Sequence, residues 1–147
     1  MKNTILQNIA ATTLLTALSY GSAVSAHTAN GALAAKANAV DVYQMRCFRN
    51  SAGATGKFVT RIRAAKVGAL ISAQAYKGRL ASQTTDPRGG NALYSPVGTI
   101  AKGGEGLYTI LVDKSGVGAN SYVLIAHCET ARGVHSGETE PALVQNQ

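Results

Sequence analysis

Three histidines, two cysteines and seven carboxylates are the side chains of this sequence best suited to metal binding or covalent chemistry. Two of them stand together in "SYVLIAHCETARGVH", where an apolar run closes on His127 and Cys128 and His135 follows. A His-Cys pair suggests a metal site or a nucleophile with its base. The surrounding pattern argues otherwise, because neighbours on a β-strand point to opposite faces. Tyr122, Leu124, Ala126 and Cys128 share one face, and Val123, Ile125 and His127 share the other. In "DVYQMRCFR" the same alternation groups Tyr43, Met45 and Cys47 against Val42, Gln44, Arg46 and Phe48. Each cysteine thus lies in line with a tyrosine and an apolar neighbour, as the halves of a buried bridge would.

A Cys47–Cys128 disulfide is the expectation, since these are the only cysteines and an exported chain oxidises them. A loop of that length contributes about 4–5 kcal/mol in the chain-entropy picture. Export is read from the first residues. Lys2 gives a positive start, "IAATTLLTAL" a short apolar stretch, and Val24 and Ala26 the small residues before a cleavage point. The stretch is too short and Thr-rich for a bilayer span, which needs about 20 apolar residues. Residues 1–26 therefore read as a signal peptide, and the product as a bacterial periplasmic or extracellular protein, not a transmembrane one.

Cleavage after Ala26 would make His27 the first residue. Its free amine and imidazole could together chelate Cu(II), as in the copper-binding arrangement called a histidine brace. Spacing ties neither His127 nor His135 to it, and His135 falls in a stretch without apolar rhythm. Nucleophilic catalysis lacks its parts: there is no GxSxG elbow, and no histidine has an evident carboxylate to orient it. "GTIAKGGEG" has neither Walker spacing nor a dinucleotide-binding context. An enzyme is the minority expectation, and no cofactor other than copper is implied.

Charge is the remaining signal. The chain carries a formal +7, and its cations crowd the first half. Arg46, Arg49, Lys57, Arg61, Arg63 and Lys66 form the candidate surface for an anionic partner, with Arg61 and Arg63 on one strand face. An envelope polymer or another exported protein fits this better than nucleic acid, given few aromatics and no tryptophan.

The elements that must position these residues are strands. "DVYQMRCFR", "KFVTRIRA", "SPVGTIAK", "GLYTILVDK" and "SYVLIAHCE" are β-rich runs separated by Gly, Asn, Pro and Asp. The stretch 66–81 has the alanine content of a helix but is interrupted by Gly68 and Gly78. Read as strand, it puts Ala69, Ile71, Ala73 and Ala75 on one face, and Leu70, Ser72, Gln74 and Tyr76 on the other. The segment from Gly106 to Cys128 reads as a hairpin whose turn, "DKSGVGAN", uses Gly116, Gly118 and Asn120. The expected fold is all-β: a small antiparallel sandwich closed by one disulfide between its first and last strands. The sandwich should occupy 41–130, between a flexible segment 27–40 and a flexible tail 131–147.

Within that hairpin, Gly106, Tyr108, Val112, Gly118, Tyr122 and Leu124 form a pattern that resembles the last two strands of bacterial pre-peptidase C-terminal (PPC-like) domains. The resemblance implies a secreted, jelly-roll-like sandwich with a non-catalytic accessory role. Taken together, the leading expectation is an exported binding or cell-envelope module acting through its basic residues. The alternatives are a structural subunit that assembles by strand addition through residues 27–40, and a copper protein using His27.

Overall fold

A computed structural model describes residues 27–147. Every regular element in it is a strand: β1 (His27–Leu33), β2 (Asp41–Phe48), β3 (Lys57–Ala64), β4 (Ile71–Lys77), β5 (Leu80–Thr85), β6 (Gly98–Ala101), β7 (Gly106–Lys114), β8 (Asn120–Glu129), β9 (Gly137–Glu138) and β10 (Ala142–Gln145). They form two antiparallel sheets. One has the order β1-β8-β3-β6, the other β10-β2-β7-β4-β5, with β9 also paired to β2. The all-β sandwich expected from the alternating runs is what forms. Among the described residues no helix is long and apolar enough to cross a membrane.

The core lies between the sheets. β2 contributes Tyr43, Met45 and Cys47, β7 Tyr108, Ile110 and Val112, and β8 Tyr122, Leu124, Ala126 and Cys128. Phe58 and Tyr108 stack across it with centroids 4.3 Å apart. The 66–81 stretch resolves as strand, with Ile71, Ala73 and Ala75 fully buried. Gly78 takes a positive φ in the two-residue loop between the paired Lys77 and Leu80. That conformation suits glycine and explains why the alanine-rich run folds back instead of coiling.

Two clamps join the sheets. Cys47 on β2 and Cys128 on β8 form the expected disulfide, with Cα atoms 5.6 Å apart. Six residues back along both strands, Tyr122 donates a 2.5 Å hydrogen bond to Asp41, and Tyr43 and Tyr122 hydroxyls are 2.8 Å apart. Six residues of strand are about 20 Å, so one clamp is covalent at one end and the other polar at the opposite end. Asp41 is buried, and its second oxygen accepts the Gln147 amide at 2.9 Å. Burial raises the Tyr122 hydroxyl far above the usual phenol value, reinforced by its bonds to Asp41 and Tyr43.

Three expectations are corrected. The hairpin from Gly106 to Cys128 does not exist, because β7 pairs with β2 and β4 while β8 pairs with β1 and β3. The intervening turn carries the chain from one sheet to the other. One-face burial is satisfied equally by a sideways partner and by a partner across the core, so alternation could not separate the two. Nor is 27–40 a loose lead: its first half is β1, paired to β8 from His27↔Ala126 to Leu33↔Asn120. The tail 131–147 likewise holds β9 and β10, both on β2. Consequently the disulfide joins β2 to β8, which are neither the first nor the last strand.

Candidate metal centre

At the disulfide end, β1 stops pairing with β8 at His27↔Ala126. The same edge of β8 is taken up again by the returning tail, through the Glu129↔His135 bridge and a Ser136 N–H to Cys128 carbonyl bond of 2.9 Å. Between these two partners the Cys128 N–H needs an acceptor. The Glu138 carboxylate supplies it with Oε2. Glu138 also stands opposite Cys47 in the register of β9 with β2. A buried carboxylate therefore bridges the two sheets directly beside the disulfide.

All three histidines gather on its other oxygen. Glu138 Oε1 lies 3.1 Å from His27 Nε2, 3.2 Å from His135 Nδ1 and 3.8 Å from His127 Nδ1. His127 reaches the centre from β8, His135 from the tail and His27 from the start of β1. The rings of His127 and His135 meet edge to face, centroids 4.5 Å apart. One ligand atom each from His127, His135 and Glu138 lie within 4.8 Å of one another. At 3.8 Å the His127 contact is too long for a hydrogen bond, and the enclosed Nδ1 has no such partner among the described residues.

Burial pushes the Glu138 carboxyl upward, but the His127 ring, the Cys128 amide, the charge of His27 and the hydrogen bond with His135 outweigh it, so its pKa falls below the usual value. It stays an anion, as a ligand must. A further carboxylate orients His27: Glu140 Oε1 sits 2.6 Å from Nδ1. With Glu140 ionised, Nδ1 is the donor to it, which leaves Nε2, 3.1 Å from Glu138 Oε1, as the nitrogen that a metal ion would take in place of a proton. A carboxylate behind the non-ligating nitrogen is the usual support of a metal-bound imidazole.

Sequence reasoning offered His27 as a copper ligand through its amine and imidazole, and the structure places that imidazole beside Glu138. Here Nε2 faces the cluster and Nδ1 is held by Glu140. The same reasoning set His127 and His135 aside as ligands and gave no role to Glu138 or Glu140. No spacing signal could have found them, because the four residues meet His27 only through strand pairing.

The six basic candidates do not converge. Arg46 and Arg49 lie at the exposed side of β2 and just past its end, with Arg49 Nε 3.8 Å from Glu105. Arg61 and Arg63 project from the outer face of the other sheet, and Lys66 follows β3 in an exposed turn. Lys57 is 2.9 Å from Glu129. Strand alternation grouped Arg61 with Arg63 but could not tell that Arg46 belongs to the opposite side of the sandwich. A cavity of about 500 Å³ at the other end, lined by Asp41 and Tyr122, holds polar groups that already satisfy each other.

No family model matches this chain, and no curated protein or solved structure does either.

Proposed function

We propose that this chain is an exported β-sandwich that holds a divalent transition-metal ion, Zn(II) or Cu(II), on His27, His127, His135 and Glu138. The supporting observation is the convergence of all three histidines on one buried carboxylate. Imidazole nitrogen with a carboxylate oxygen is a donor set both ions accept, with Cu(II) favoured in raw affinity. Metal–nitrogen bonds of about 2.0–2.1 Å bring ligand atoms to roughly 4 Å or less of one another. The ligand atoms of His127, His135 and Glu138, within 4.8 Å of one another, therefore need only a small contraction to close on an ion, and His27 Nε2, 3.1 Å from Glu138 Oε1, would complete the set. Export accords with the leader-like residues 1–26 and with the disulfide.

The test is metal stoichiometry. Metal-free protein titrated calorimetrically with Zn(II) and Cu(II) takes up one ion per chain, and the paired variant His127→Ala, His135→Ala takes up none at the same concentrations. Uptake unchanged in that variant, with its fold intact by circular dichroism, overturns the reading.

A further inference from the structure

We propose that the outer face of the four-stranded sheet binds an organic monocarboxylate, its charge on Arg61 and its apolar body across Val59, Ile125 and Val97. This site lies beside the metal centre and shares His127 with it as a wall, yet does not depend on the metal.

The groove has a volume of about 360 Å³, within the range of small-molecule sites. Its floor follows from register. Val59 pairs with His127 on one side and Thr99 on the other, and Arg61 pairs with Ile125 two residues further along β3. Two residues of strand are about 7 Å, so Arg61 stands one short ligand length from the His127 row. Val59 is 8% exposed although it lies on the outer face, which measures how far the walls enclose it.

One wall is the segment leading into β6, and two arginines hold it. Arg61 Nε donates to the Ser95 carbonyl at 3.2 Å. Arg63 Nη1 donates to the Ala92 carbonyl at 3.3 Å and its guanidinium lies 5.0 Å over the Tyr94 ring. The Nε bond fixes the plane of the Arg61 fork. Its terminal nitrogens have no partner among the described residues, and such a fork matches a carboxylate with two parallel hydrogen bonds.

Charge selects the ligand class. Lys57 also lines the groove, but Glu129 neutralises it at 2.9 Å. One uncompensated cation over an apolar floor suits one negative charge on an apolar body. A phosphate dianion would want a second free cation, and a neutral alcohol would leave Arg61 unanswered.

Hexanoate, hexyl phosphate and 1-hexanol are the probes, titrated into the metal-free protein with amide shifts followed by NMR. Hexanoate should saturably shift Val59, Thr99 and Ile125 and bind at least 10-fold more tightly than hexanol. Arg61→Gln should weaken it at least 10-fold. Val97→Glu, which leaves the Ser95 contact untouched, should weaken it as well by placing a like charge at the rim. The site is overturned if hexanol matches hexanoate, if hexyl phosphate binds more tightly than hexanoate, or if both variants bind like wild type. Both variants should still take up one metal ion, so loss of carboxylate binding alone sinks this site and loss of metal uptake in the wild type sinks the metal reading.

Discussion

Glu138 accepts the backbone N–H of Cys128 with one carboxylate oxygen and meets three imidazoles with the other. The disulfide and the histidine cluster are thus two sides of one junction. Cys128 is bonded to β2 through sulfur, and through its amide it orients the central carboxylate of the candidate site.

Removing the bridge should therefore weaken metal binding although no ligand is touched. Cys47→Ser with Cys128→Ser should lower stability by about 2–5 kcal/mol. Metal affinity should fall at least 10-fold in those molecules that remain folded. Urea unfolding and calorimetry measure the two effects separately, and unchanged affinity would show that Glu138 is positioned without the disulfide.

Glu140 contacts no other ring nitrogen than His27 Nδ1 among the hydrogen bonds described, so Glu140→Gln tests orientation alone. Supporting carboxylates of this kind are worth about 10–100-fold in metal affinity. A loss in that range with unaltered stoichiometry is expected from competition titration against a chelator. An effect below threefold would mean that His27 needs no such support.

Asp86 should govern part of the acid limb of stability. Burial pushes its pKa up, but the backbone N–H groups of Ala64, Arg88 and Gly89, at 2.7, 3.1 and 3.1 Å, outweigh that and leave it below its model-compound value of 3.8. Its folded pKa lies below its unfolded one, so its contribution is complete above the unfolded value and is lost as pH falls through the folded value. Asp86→Asn should cost about 1–3 kcal/mol near pH 6. The gap from wild type should narrow below about pH 3.8. Urea midpoints across that range decide it; a gap independent of pH would remove the carboxylate charge from the account.

Gly31 faces Tyr122 across the β1–β8 pair, and a methyl group there would overlap the Tyr122 phenol. Gly31→Ala should displace the ring from Asp41 and destabilise by about 1–3 kcal/mol. Tyr122→Phe keeps the ring but leaves Asp41 short of a donor, with a similar expected loss. Thermal unfolding of both variants is the measurement, and a Tyr122→Phe protein as stable as wild type would show that the polar clamp contributes nothing net.

Much of this protein is legible in its sequence because β alternation is a local property. Period two assigned Cys47 and Cys128 to the buried faces, grouped Ile71, Ala73 and Ala75 on one face without saying that it is the inner one, and placed Arg61 and Arg63 together. With only two cysteines, the pairing of the bridge had one internal solution. What alternation does not encode is which strand lies alongside. It left β7 and β8 looking like a hairpin, and it left β1, β9 and β10 looking like tails because none of them carries a sustained apolar alternation. Pairing decided both matters, since those short strands are held mainly by backbone bonds to β8 and β2. The same pairing brings His27, His127, His135 and Glu138 to the gap on β8 where one edge partner ends and the next begins. That meeting depends on contacts between distant segments, so only the tertiary structure could decide it.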